Sequence, residues 1–177
     1  MKGNCQQETF DQVEELRRRL DLAPHPEGGF YRESYRSSRL ISKSEQDASP
    51  RAVSTAIYYL LTDDTFSELH SIGADEIFHF YLGDTVELLR LGEDGSSEVI
   101  LLGQDVCGGE QLQAVLPVGD TFGCRLKPGG KFALMGTTVA PGFDFADYVR
   151  GDRADLLARF ADRRDLIIAL TRVQETV

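Results

Sequence analysis

The stretch LHSIGADEIFHFYLGD, Leu69 to Asp84, carries two of the chain's three histidines, with a glutamate between them. Its texture is that of two short strands around a turn. If Phe66 to Ile72 is extended, a period of two puts Glu68, His70 and Ile72 on one face. A turn at Gly73–Asp75 then leads into a strand with Glu76, Phe78, Phe80 and Leu82 on one face and Ile77, His79 and Tyr81 on the other. With Glu76 inward among apolar neighbours, His70 and Glu76 meet across the hairpin, and His79 points out. The pair suits a metal site, an acid–base couple, or ordinary packing inside a β-barrel.

The same texture runs outward in both directions. GFYRESYR, VSTAIYYLL, FSELHSI, EIFHFYL, TVELLRL, SSEVILL, LQAVLP, TFGCRL and KFALMGTTV are short β-branched and aromatic runs bounded by turn residues such as GEDG and KPGG. About nine strands in roughly 110 residues, with no helices between them, describe a sandwich or barrel. Ahead of them, TFDQVEELRRRL predicts a helix capped by Thr9 with Gln12 as its partner, and Phe10, Val13, Leu16 and Leu20 on one stripe. Ser37–Arg51 predicts a surface loop, and RADLLARF and RRDLIIALTR return to helical spacing. The expected organisation is one domain: helix and loop over 1–28, barrel over 29–142, and a helical segment over 143–177.

The chain has 177 residues and a formal net charge of -10. Such a field repels a phosphate backbone and an anionic membrane surface, so no nucleic-acid or membrane partner is expected. Cys5, Cys107 and Cys124 are an odd number without CxxC spacing, which supplies neither a zinc ribbon nor a disulfide framework. MKGNCQQ lacks the apolar region of a signal peptide, and no run is long enough for a membrane span. A reduced, cytoplasmic protein is the expectation.

His70, Glu76 and Gly83 also fall at the spacing of a motif written H-x-H, three or four residues, E, six residues, G. Pro117-Val118-Gly119-Asp120-Thr121-Phe122 matches a second, P-x-G-x-x-H. Both resemble the cupin superfamily. PHPEGGFYRESYRS (24–37), STAIYYLL (54–61), LHSIGADEIFHFYLG (69–83) and VAPGFDFADY (139–148) are similar to the small single-domain cupins of a family of unknown function. The resemblance implies an all-β, jelly-roll-like double-stranded β-helix with a pocket at one mouth, commonly in a homodimer. It also implies a metal shell of three histidines and a glutamate, but here two of those positions are Ile72 and Phe122. A divalent metal is therefore disfavoured as a cofactor.

Without metal, His70 is a candidate general base, Glu76 its orienter or a substrate anchor, and Tyr31 a candidate acid. The packed alternative is a hydrogen-bonded structural histidine. Glu27, Gly29 and Glu33, on which the family likeness concentrates, are candidate ligand contacts, with Arg32 outward. Phe78, Phe80 and Phe122 are either ligand contacts or core. His25 orders a loop, and Phe143 and Phe145 fold over the barrel as plug or rim. A small molecule in the barrel is the expected partner. The candidate functions are metal-independent isomerisation or epimerisation of a sugar-like or carbonyl substrate, non-catalytic metabolite binding, and metal-dependent oxygenase or lyase chemistry. Ile57, Tyr59, Ile77 and Tyr81, read as outward apolar positions, suggest pairing with a second copy through a sheet face.

Overall fold

The computed structural model describes residues 2–41 and 50–172, with side chains from residue 9 onward. The side chain of Cys5 and residues 42–49 of the expected surface loop lie outside the described residues. A helix, α1 (Lys2–Leu20), precedes the strands β1 (Ala23–Pro24), β2 (Phe30–Arg36), β3 (Leu40–Ile41), β4 (Arg51–Ala52), β5 (Thr55–Thr62), β6 (Phe66–Ser71) and β7 (Asp75–Gly83). There follow β8 (Val86–Leu91), β9 (Ser97–Leu102), β10 (Gln113–Leu116), β11 (Thr121–Leu126), β12 (Phe132–Ala140) and β13 (Val149–Arg150), then the helices α2 (Arg153–Arg159) and α3 (Arg164–Ala169).

Two antiparallel sheets face each other. One has the order β1-β2-β5-β12-β7-β10, the other β13-β6-β11-β8-β9, and β3 and β4 form a separate ribbon within the expected loop. This is the jelly-roll arrangement expected from the runs of short strands. Each of the nine predicted runs coincides with one of the strands to within a residue or two at either end. The two-residue strands β1 and β13, on either side of the 29–142 span, join the sheets as edges. Tyr59, Leu61, Phe78, Phe80 and Met135 from one sheet pack against Leu88, Ile100, Phe122 and Cys124 from the other.

The outer faces are also covered. Val13, Leu16 and Leu20 of α1 pack on Leu60, Phe132 and Leu134. Leu156, Phe160, Ile167 and Leu170 pack on Leu69, Leu89 and Leu91. Strands buried on both faces lose the simple apolar–polar alternation. This corrects the reading of Ile57 and Tyr59, which point into the space between the sheets, not outward. Two expectations for α1 also change. It begins at Lys2, before the predicted cap, because Lys, Gln and Glu extend a helix readily and no proline precedes Thr9. Phe10, placed on the buried stripe by its spacing, is exposed.

Three bulges reset strand parity. On β2, Ser34 is unmatched between Glu33, which pairs with Ile57, and Tyr35, which pairs with Ala56. On β6, Glu68 and Leu69 stand opposite the single Gly123, since Phe122 pairs with His70 and Cys124 with Ser67. A Cβ at Gly123 would lie 2.7 Å from the Ser67 carbonyl oxygen and 3.0 Å from the Leu69 nitrogen, so only glycine lets β11 pass. Glu68 thus leaves the face it was expected to share with His70. On β7, Met135 pairs with Phe80 and Leu134 with Leu82, leaving Tyr81 unmatched. Leu82 accordingly joins the cluster beneath α1 instead of following Phe80 inward. Replacing Gly123 by alanine is expected to lower unfolding free energy by about 1–3 kcal/mol, read from the urea denaturation midpoint.

Candidate functional site

The segment HPEGG builds one wall of a cavity. β1 pairs with the start of β2, so residues 25–29 must turn back tightly. The His25 N–H donates to the Gly29 carbonyl at 2.9 Å and the Gly28 N–H to the His25 carbonyl at 3.0 Å. Gly28 and Gly29 both have positive φ, 112° and 72°, which only glycine adopts without strain. The Glu27 carbonyl accepts from the Glu68 N–H at 3.2 Å and from Arg172 Nη2 at 3.2 Å. Backbone bonding thus fixes the turn, and the side chains of His25 and Glu27 line the cavity.

The cavity has a volume of about 330 Å³ and opens at one end of the sandwich. Among the proposed residues, His70, Glu76, Tyr31, Glu27, Glu33 and Phe78 line it, together with His25, Tyr59, Ser67, Thr137, Arg36, Phe143, Asp144 and Phe145. Gly29, Phe80 and Phe122 are not in its lining. Gly29 shapes the turn, with its Cα against Leu60, and Phe80 belongs to the core. Phe122 backs His70 edge-on, ring centroids 4.7 Å apart. His79 points away from the cavity, as strand parity predicts, bonding Thr138 Oγ1 at 3.0 Å and the Gln113 side chain at 2.8 Å.

His70 is enclosed by Phe122 and by the Tyr148 ring, 5.1 Å away. Its Nδ1 stands 2.7 Å from the Glu68 carbonyl oxygen, which only accepts, so Nδ1 carries the hydrogen and Nε2 keeps a lone pair. That Nε2 faces Glu27 Oε2 at 3.4 Å. His25 has the opposite tautomer, because its Nδ1 accepts from the Glu27 N–H at 3.2 Å. Its ring meets Tyr31 edge-on at 4.4 Å.

Burial decides the charges here. It pushes the Glu27 carboxyl up to about 8, with help from the Glu76 and Glu68 charges. It raises Glu76 to about 7 against a bond from Thr137. It holds His25 down to about 4, aided by His70, and His70 down to about 4 against its bond to the Glu68 carbonyl. Glu27 and His70 are within ion-pair distance, yet both are uncharged at neutral pH. The Tyr59 hydroxyl, which donates to the Gly28 carbonyl at 2.8 Å, is raised well above its usual range by burial and remains protonated.

Glu68 turns instead toward cations: Oε2 lies 3.1 Å from Arg150 Nη2, and Oε1 accepts from the Arg172 N–H at 3.0 Å. At the mouth, Arg36 holds Glu33 through two bonds of 2.9 and 2.7 Å and reaches the Phe143 carbonyl. The segment Phe143–Phe145 therefore forms the rim, in line with its expected place. Sequence reasoning missed His25 and Tyr59 as lining residues. Nothing local reveals a histidine's inward turn in a loop, and Tyr59 sits on a strand apolar on both faces.

Comparison with known proteins agrees with this architecture. The family described as cupin superfamily (DUF985) matches residues 14–150. The chain belongs to the cupin superfamily. An uncharacterized Saccharomyces cerevisiae protein is 30% identical over 139 residues, covering 72% of this chain and 69% of its own. A hypothetical protein from Leishmania major superposes with a TM-score of 0.82 at 30% identity, over 90% of this chain and 98% of that one. A Shewanella oneidensis protein does so at 0.79 and 32%, over 91% and 98%.

In this cupin the metal-shell positions do not fit a metal. Ile72 and Phe122 offer no donor atom and belong to the core. Among the described residues no three His, Cys, Asp or Glu side chains are grouped to hold an ion. Among the same residues no helix is long and apolar enough to cross a membrane.

The charges predict a pH profile of stability. A carboxyl raised by burial keeps its proton in the folded state after the unfolded chain has lost it, so its contribution to stability falls as pH rises from about 4.5 to the folded pKa. A histidine held down acts oppositely, costing stability as pH falls from 6.5 toward 4. The two effects oppose each other below pH 6.5. Above it, only Glu27 and Glu76 remain, and stability should drop by on the order of 2 kcal/mol before levelling beyond pH 8. Urea midpoints at pH 6.5 and 8.5 should show the drop, and Glu27→Gln should remove most of it.

Proposed function

We propose that this cupin binds a small carbonyl compound in the cavity and moves a proton on it without a metal, as an isomerase or epimerase does. The observation that carries this reading is the convergence of two carboxyls with pKa values near neutrality and two neutral imidazoles on one cavity. Acid–base chemistry works best with groups whose pKa lies near the working pH. Glu76, raised to about 7, is then better poised than His70 to take a proton from the carbon beside a carbonyl. Glu27, still protonated at neutral pH, donates to the carbonyl oxygen as charge develops there, with Tyr31 as the second candidate donor. His70 orients Glu27 through its Nε2. The proton returns to the neighbouring carbon or to the other face of the same carbon while an enediol hydroxyl gives a proton back to Glu27, so the step needs no oxidant or reductant.

Incubation with aldoses and ketoses in D2O should introduce deuterium beside the carbonyl, read by proton NMR. Glu76→Gln should slow exchange by at least a hundredfold, and Glu76→Asp should retain part of it. Exchange should survive prolonged dialysis against a chelator. Exchange that disappears with the chelator and returns with added metal would favour the oxygenase or lyase class instead. Binding without exchange in the unaltered protein would leave a metabolite-binding module.

We also propose that two copies associate through the β10 edge of the larger sheet. Leu112 and Val115 are exposed there, beside Tyr81 of β7. An unpaired edge with apolar side chains invites a second chain. Sedimentation should show a dimer, converted to monomer by Val115→Lys.

A further inference from the structure

We propose that the cavity selects an uncharged, polyhydroxylated carbonyl compound of monosaccharide size and rejects the phosphate ester or nucleotide conjugate of the same sugar. The carbonyl part of this statement rests on the isomerase reading; the charge and size parts rest on the lining alone. Among the described residues, four that carry carboxyl groups, Glu27, Glu33, Glu76 and Asp144, face the cavity, against a single cation, Arg36. That guanidinium is already matched. Its Nε and Nη2 hold both oxygens of Glu33, and Nη1 and Nη2 turn to the Phe143 carbonyl at 3.4 and 3.3 Å. The nearby Arg51 pairs with Asp147 and is not in the lining.

A phosphate entering the mouth would therefore lose water, meet Glu33 and Asp144, and find no unengaged cation among the described lining residues. Sites built for phosphate supply unengaged Arg or Lys side chains or a helix N-terminus. Here strands and loops provide most of the lining, and a single turn of 3-10 helix at Phe145–Asp147 the rest.

Hydroxyl groups suit the interior better. With Nδ1 of each ring already engaged, His25 leaves an Nε2–H donor and His70 an Nε2 acceptor, and the hydroxyls of Tyr31, Ser67 and Thr137 add to these. Glu27 with its proton offers a donor instead of a charge for an ammonium group. A purely apolar ligand would leave these groups dry and unpaired, at a cost for each. The rings of Tyr31, Tyr59, Phe78 and Phe143 supply flat apolar surfaces for the C–H faces of a sugar ring. The volume of about 330 Å³ lies near the lower end of small-molecule pockets, which span about 300–1,000 Å³, too small to enclose a sugar together with a nucleotide.

The test is saturation-transfer NMR and titration with D-glucose, D-mannose and D-fructose, their 6-phosphates, D-glucosamine and UDP-glucose. At least one free hexose should bind, with its phosphate ester and UDP-glucose at least tenfold weaker. Glu33→Gln, an exposed position that should not disturb folding, unmatches Arg36 and should narrow that gap threefold or more. Binding of an ester, of glucosamine or of UDP-glucose as tight as the best free hexose would overturn the proposal. So would binding of no free hexose, or a gap that Glu33→Gln leaves unchanged. Deuterium exchange on the same samples separates the two readings: a bound hexose without exchange keeps this proposal and removes the isomerase, whereas exchange into a tightly bound phosphate ester does the reverse.

Discussion

A mismatch of two residues against one governs this site. Because Glu68 and Leu69 share the space opposite Gly123, Ser67 and His70 both line the cavity although three positions apart. An uninterrupted strand would have put them on opposite faces. The two bulged residues are used elsewhere. Leu69 enters the cluster beneath α2 and α3, and Glu68 meets Arg150 and Arg172. The Glu68 carbonyl meanwhile holds the Nδ1–H of His70 and so sets which nitrogen faces Glu27. Position, tautomer and second-layer charge all follow from one local departure from regular pairing.

The second constraint is dryness. His70 and Glu27 would form an ordinary ion pair on a surface. Enclosed by Phe122, Tyr148 and the HPEGG turn, they are instead a neutral contact, because the cost of removing two charges from water exceeds what their attraction returns. Glu76 shares this environment, so the carboxyls, not the imidazoles, titrate nearest neutral pH. The Cys124 thiol, in the same core, is pushed up by burial and stays protonated.

Much of the architecture was legible from the residues. Period-two runs separated by glycine and proline turns marked the nine principal strands, and His70 and Glu76 were placed inward together. What escaped the sequence has physical causes. Apolar alternation fails for Tyr59 because α1 covers the back of β5, leaving no polar face to mark the outside. The bulges at Glu68–Leu69 and Tyr81 each depend on a small residue on the neighbouring strand, Gly123 and Gly136, far away in sequence. The inward turn of His25 depends on pairing between β1 and β2, and on an anchor from Arg172. Phe122, read as either ligand contact or core, proves to be core because the position packs directly behind His70.

That anchor carries an implication for how the molecule is made. Arg172 bonds the Glu27 carbonyl across 145 positions of sequence and the Glu68 carboxylate across 104. A ribosome delivers residues in order, at about 5–20 per second. The first wall of the pocket therefore leaves the exit tunnel many seconds before the residue that secures it. During that interval the nascent chain has the residues of the pocket wall without the finished pocket, and any small molecule it recognises can be captured only after Arg172 has emerged.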